Sequence, residues 1–274
     1  MHSAKLSAAI QKQLRATFTE DADLYDRSRP HYPAPLFADL ATLAHLNLSS
    51  RILEIGSGTG RATIPLAGLG CHITGIELGN EMATVARRNL SAFPKAEIVV
   101  LTFEDWRLPE DKFDLVVSVA AWHWVEEDVR MEKAADALRE GGVLAVVSVH
   151  HIKGGTEAFF DEVQRLYEKF GLALVAGLRL PAVEDIPEDA GEFKREERFG
   201  KVGFRHYEWE ETYSTEEYLN VLLTYSNHRL LEEGIRKGLL SSIADLINRN
   251  YGGKIAKRYM VQMAVVEKLQ SHVK

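Results

Sequence analysis

Cysteine is almost absent: Cys71 is the single one in 274 residues. That excludes an intrachain disulfide and a cysteine zinc cluster, and makes a cytoplasmic location the simplest expectation. Long apolar runs are missing too. The longest, Leu115 to Trp122, is far short of the ~20 residues that span a bilayer, so no membrane partner is expected. Met1 to Glu20 is mixed polar, without the apolar stretch of a signal peptide. Basic charge is in deficit, 33 Lys and Arg against 40 Asp and Glu, a net charge of −7. This argues against broad binding to a phosphate backbone, and no nucleic-acid partner is expected. No metal site is expected: His150 and His151 are adjacent, so on a strand they point to opposite faces, and no carboxylate lies at ligand spacing.

What is present is the composition of a globular protein, 46% hydrophobic and 27% charged. The length suits about two domains or one large α/β domain with insertions, and no linker stands out. Residues 1–50 read as a helical segment broken around Pro30, Pro33 and Pro35. Residues 51–150 alternate apolar runs with helical patterns: Arg51–Ile55, Cys71–Glu77, Ile98–Thr102, Phe113–Ala120 and Val143–Val149 as strands, with Asn80–Ala92 and Val129–Glu140 as helices between them. Such alternation implies βαβ units and a parallel sheet buried on both faces. Residues 151–274 are less regular. Thr156–Phe170 reads as an amphipathic helix, Val183–Arg198 as an exposed loop, Phe204–Tyr213 as a strand, Thr215–Asn250 as two or more helices, and Tyr259–Val266 as a final strand.

The sharpest motif is the strand Arg51-Ile-Leu-Glu-Ile running into Gly56-Ser-Gly-Thr-Gly60. Glycines here allow a tight turn and bring backbone N–H groups close to a ligand, at the carboxyl end of a strand. Alone, the pattern also suits a simple strand-to-helix turn. The dinucleotide spacing G-x-G-x-x-G fails because Arg61 holds the sixth position, and the Gly-Lys-Ser/Thr of a phosphate loop is absent. Two acids accompany the turn: Glu54, two residues before it, and Glu77, at the end of the next strand. Glu77 is placed to accept both hydroxyls of a ribose, or is a solvated strand-end charge. Phe103 and Glu104 follow the third strand, suited to an adenine, or Phe103 belongs to the core.

Together these motifs resemble the class I S-adenosylmethionine-dependent methyltransferases, over residues 51–150. Tyr25-Asp-Arg-Ser-Arg-Pro-His-Tyr-Pro33 and Ala121-Trp-His-Trp-Val125 resemble segments of a small-molecule branch that includes trans-aconitate methyltransferases. The resemblance implies an α/β fold with a doubly wound, mostly parallel, seven-stranded Rossmann-like sheet, its last strand antiparallel, and a helical cover at about residues 214–252. Residues 1–50 would be part of that cover, 51–150 the cofactor-binding core, and 151–274 the C-terminal half of the same sheet. S-adenosylmethionine would be the cofactor and S-adenosylhomocysteine the product. Gly56, Ser57, Gly58 and Gly60 would cradle its methionine end and sugar. Glu54 would act at the methionine amine, Glu77 at the ribose with Leu78 beside the adenine, Phe103 and Glu104 would frame the base, and Ala120 would lie under the methionine part.

Transfer from a sulfonium is an in-line displacement in which the protein supplies placement. A general base is optional, and unnecessary for a carboxylate acceptor. His123 is the base candidate, between Trp122 and Trp124, which could wall an apolar pocket around it. It could equally serve only to shape that pocket. Arg29, Tyr32, Trp122, Trp124, Tyr225 and His228 are candidate substrate contacts, the two tryptophans equally as core residues. The reading is methyl transfer to a small-molecule acceptor, with oxygen favoured because the amino-methyltransferase motif Asn/Asp-Pro-Pro-Tyr/Phe is replaced by Val119-Ala-Ala-Trp122. The competing readings are a methyltransferase of protein or RNA, a non-catalytic S-adenosylmethionine-binding protein, and an NAD-dependent dehydrogenase. The expected assembly is a monomer or homodimer.

Overall fold

The computed structural model describes residues 21–172 and 180–270; the polar stretch Met1–Glu20 lies outside them. The first helix, α1 (Ala22–Ser28), starts at Asp21, whose carboxylate accepts the Leu24 N–H at 2.8 Å, and stops at Arg29. The residue before a proline disfavours helical backbone, and Pro30 follows. Helix α2 (Ala34–Leu43) begins after Pro33 and carries Pro35 in its first turn, where a missing N–H costs nothing.

The βαβ expectation holds. Strand β1 (Arg51–Ile55), helix α3 (Thr63–Ala67), strand β2 (His72–Glu77), helix α4 (Asn80–Asn89), strand β3 (Ala96–Val100), strand β4 (Phe113–Val119), helix α5 (Glu127–Ala137) and strand β5 (Leu138–His151) follow in order. Then come helix α6 (Glu157–Lys169), strand β6 (Gly203–Ser214), helices α7 (Thr215–Leu223), α8 (Ser226–Arg229) and α9 (Glu233–Asn250), and strand β7 (Lys254–Glu267). Among the described residues the sheet has seven strands in the order β3-β2-β1-β4-β5-β7-β6. The pairings β1–β2, β1–β4, β2–β3 and β4–β5 are parallel. β7 runs antiparallel to β5: Gly141 and Lys268 pair at one end, Ile152 and Arg258 at the other. The strand order reverses at β1/β4, the switch point where open α/β sheets bind ligands.

The described residues form two compact units. One comprises the chain up to Pro30, His150–Ile186 and Glu208–Met260; the other comprises His31–Val149, Pro187–Tyr207 and the chain from Val261. These boundaries cut across the expected segments 1–50, 51–150 and 151–274. The second unit holds β1–β4 and a core that includes Leu53, Ile76, Phe113, Val116, Leu138 and Leu144. The first holds an aromatic core that includes Phe159, Phe160, Tyr218, Ile243, Ile247 and Tyr259.

Two sequence expectations need correction. Helix α5 ends at Ala137, so Arg139 and Glu140 belong to β5 instead. The glycine pair after them reads as a stop, yet the strand continues through a register shift between Phe113 and Leu115, with Gly141 at φ +69°. Val183–Arg198 is not simply an exposed loop. Phe193 is buried in the core of the second unit, and Glu192 forms an ion pair with Arg130 of α5.

Candidate functional site

The glycine turn is built by backbone geometry that side chains oppose. Gly56, Gly58 and Gly60 have φ of +75°, +57° and +87°, the left-handed region that L-residues other than glycine rarely enter. The N–H groups of Gly56 and Ser57 both donate to the Ile76 carbonyl, at 2.8 and 3.1 Å, which binds the turn to β2. Gly56 also meets the segment after β4 closely: a Cβ there would lie 2.3 Å from the Ala121 Cβ. Above Gly58 the space is open, with the Met82 Cε at 3.8 Å from a built Cβ. The ends of β1 and β4 are tied together by the buried Ser118 hydroxyl, which donates to the Ile55 carbonyl at 2.9 Å. The next residue but one, Ala120, is itself left-handed at φ +56° and donates its N–H to Val147.

Glu77 completes the turn. One carboxylate oxygen accepts the Gly58 N–H and the other the Gly79 N–H, each at 2.8 Å. Burial raises its carboxyl pKa, against the backbone donors of Gly79, Gly58 and Leu78, which lower it. A carboxylate offers about four lone-pair sites, so these backbone donors leave acceptor capacity for a further donor. Glu54 lies 1% exposed in β1. Burial raises its carboxyl to about 8; the Thr63 hydroxyl lowers it in part, and the Glu77 charge adds to the rise. Four buried polar atoms of this segment have no hydrogen-bond partner among the described residues: Glu54 Oε2, Ser57 Oγ, Thr59 Oγ1 and Thr63 Oγ1. Buried polar atoms are nearly always paired, so an orphan cluster on a glycine turn is what a polar ligand would satisfy. The turn therefore fits the amino-acid and ribose groups of S-adenosylmethionine. Thr59 and Thr63 were not singled out in the sequence; a hydroxyl carries no signal there until the fold buries it.

The other expected site residues divide. Leu78 is 46% exposed beside Glu77. Phe103 is buried in the core of the second unit, with Lys133 Nζ 5.3 Å from its ring, so its core role is the one formed. Glu104 accepts the Glu126 N–H at 2.9 Å, at the start of α5. Trp122 is buried, not a pocket wall. Its indole nitrogen lies 3.3 Å from both Glu192 oxygens, and Arg130 donates to its carbonyl at 3.1 Å. His123 is exposed and lies against the half-buried Trp124, ring centroids 4.6 Å apart. The apolar pocket expected around its imidazole is not formed, because Trp122 turns into the core. Tyr32 is half-buried in the same unit. In the first unit, Arg29, Tyr225 and His228 come together: the guanidinium sits 4.4 Å from the Tyr225 ring, and the Tyr225 and His228 rings are 5.9 Å apart.

Among the described residues no group of His, Cys, Asp and Glu could hold a metal ion, and no helix is long and apolar enough to cross a membrane.

Known proteins share parts of this sequence and its fold. Residues 52–142 match the methyltransferase domain family. An uncharacterized methyltransferase of Mycobacterium tuberculosis is 30% identical over 137 residues, 50% of this chain and 54% of the relative. A demethylmenaquinone methyltransferase of Tropheryma whipplei is 27% identical over 175 residues, 61% of this chain and 70% of the relative. The chain thus spans about half the length of the first of these curated relatives. A methyltransferase structure from Geobacter sulfurreducens, complexed with S-adenosyl-L-homocysteine, superimposes with a TM-score of 0.52 at 16% identity, over 93% of this chain and 97% of that one. The chain carries a seven-stranded Rossmann-like α/β fold like that of solved S-adenosylmethionine-dependent methyltransferases, and its residues 52–142 match the methyltransferase domain family.

Proposed function

We propose that the protein transfers a methyl group from S-adenosylmethionine to an oxygen, carboxylate or hydroxyl, of a small molecule. The observation that carries this reading is the glycine turn with its two acids and its four unpartnered polar atoms. Gly56–Gly60 would hold the methionine end and the sugar, Glu77 would accept from the ribose hydroxyls, and Glu54 would face the methionine amine. A cationic amine beside Glu54 favours its ionised form and offsets the burial that raises its pKa. Ala120, at the end of β4, would lie under the methionine part. When bound, the cofactor supplies an activated methyl on a sulfonium.

The chain's own residues then supply placement, the contribution on which an in-line displacement depends. A carboxylate acceptor arrives ionised and needs no base. For a hydroxyl acceptor, His123 is the titratable group at the end of β4. The small-molecule reading is supported by the absence of a basic surplus in the composition, and by the name of the Tropheryma relative, whose acceptor is demethylmenaquinone.

Calorimetric titration separates this reading from a nicotinamide-dependent one. S-adenosylhomocysteine is expected to saturate one site per chain, and NAD to give no heat of binding. Saturable NAD binding without S-adenosylhomocysteine binding would overturn the proposal.

A further inference from the structure

The first compact unit holds two cations, Lys257 and Arg29, that form no ion pair among the described residues. Lys257 lies on β7 and is 4% exposed. Its Nζ donates to the Tyr225 hydroxyl at 2.9 Å and sits 4.8 Å from the Tyr259 ring centroid. Arg29 lies over the rings of Tyr25 and Tyr225, at 5.0 and 4.4 Å. It donates from Nη2 to the Thr224 carbonyl at 3.2 Å, while its buried Nε–H has no acceptor. Neither cation forms an ion pair with a carboxylate among the described residues. Two further buried ring nitrogens in this unit, His151 Nε2 and Trp209 Nε1, also lack partners. His151 lies against Tyr259, and Trp209 stacks on it.

The cluster is therefore rich in donors and poor in acceptors. Aromatic faces attract a cation, but they accept none of the spare N–H groups, and a buried charge ordinarily finds a counter-charge. Burial dominates the titration of the neighbours, and Lys257 adds to it at two histidines. Burial, followed by Lys257, lowers His151 to about 2 and His228 to about 4. Burial raises Tyr167, Tyr213, Tyr218 and Tyr259. Tyr225 is the exception: burial is the largest influence and raises it, but Lys257, Arg29 and the Tyr259 hydroxyl together lower it, and its net shift is downward. Glu211 acts on Tyr213, in the raising direction. Solvent reaches the cluster, since Arg29, Tyr25 and Tyr225 are only half-buried.

We propose that Lys257, Arg29 and Tyr225 form a binding site for the carboxylate or phosphate group of a small acidic molecule. An oxyanion there accepts the spare hydrogens of Arg29 Nε and Lys257 Nζ, with Tyr225 donating its hydroxyl in place of serving as the acceptor for Lys257. Charge-assisted bonds of this kind are the strong ones.

The test is calorimetry on the full chain with succinate and with inorganic phosphate, each alone and without S-adenosylmethionine. Saturable binding of either is expected, and the anion that binds tells a carboxylate site from a phosphate site. Lys257→Met and Arg29→Met should each weaken it at least tenfold, and Lys257→Arg, which keeps the charge, should weaken it less than Lys257→Met. Arg29 is half-buried, so its variant reports binding even if Lys257→Met does not fold. No binding of either anion, or equal binding by wild type and Arg29→Met, would overturn the site. A parallel titration with S-adenosylhomocysteine reads the cofactor site by itself, so the anion site and the methyl-transfer reading fail separately.

Discussion

A Gly58→Val chain is expected to keep its fold and lose S-adenosylhomocysteine binding. Gly58 is left-handed, at φ +57°. A β-branched residue there carries strain of about 1–3 kcal/mol, within the stability of an ordinary domain. The protein itself leaves room for the side chain, because the Met82 Cε is 3.8 Å from the built Cβ. The space the valine fills is the space over the turn. Its Cβ methyls also stand beside the N–H that Glu77 accepts. The expected loss is roughly hundredfold or more, about 3 kcal/mol. Gly56→Ala should behave in the opposite way. Its Cβ would lie 2.3 Å from the Ala121 Cβ, so the backbone must shift and stability falls. Circular dichroism and calorimetry on both variants check the contrast; normal binding by a folded Gly58→Val chain would make the turn purely structural.

Glu192→Ala is expected to lower stability by about 3–5 kcal/mol, the cost of leaving one partner of a buried ion pair alone. The side chains of Arg130 and Glu192 are 10% and 19% exposed. The Arg130 Nε–H and Nη2–H both donate to the Glu192 carboxylate, the latter at 2.8 Å. Arg130 also donates to the carbonyls of Trp122 and Val125, at 3.1 and 3.3 Å. The pair thus fastens the 187–207 segment to the turn that follows β4, and losing the anion loosens that turn with it. Urea unfolding measures the loss. A change below about 1 kcal/mol, the range of exposed pairs, would mean that the pair is not sealed from water in solution.

The parts of this molecule legible in its sequence are those whose chemistry demands particular residues side by side. Gly56, Gly58 and Gly60 must be consecutive in pattern to make the turn, and Glu77 must end the next strand to reach it. The strands were legible because a sheet covered on both faces needs short apolar runs. The helices between β6 and β7 were visible from composition; the structure adds the Ser214 cap, whose hydroxyl accepts the Glu217 N–H at 3.3 Å. What depends on distant partners was not. Glu192 reads as one acid in a charged, proline-punctuated stretch, and only its pairing with Arg130, 62 residues away, makes it structural. Trp122 beside His123 reads as a pocket wall, yet the same ion pair draws it inward. Lys257 did carry a signal, since strand alternation sets it on the face of Ile255 and Tyr259, both buried.

Glu77 holds the glycine turn and, in the proposed function, the ribose of the cofactor as well; calorimetric titration of S-adenosylhomocysteine into Glu77 variants reads both roles. Glu77→Ala removes both functions and should weaken binding by about 2–4 kcal/mol, through the loss of charge-assisted hydrogen bonds. Glu77→Gln is the more searching variant. Both carboxylate oxygens accept a backbone N–H, from Gly58 and from Gly79. A glutamine must turn its NH₂ group, a donor, toward one of those two donors. Near-isosteric replacement should therefore not rescue binding, and Glu77→Gln should fall close to Glu77→Ala. Wild-type affinity in both folded variants would contradict the account.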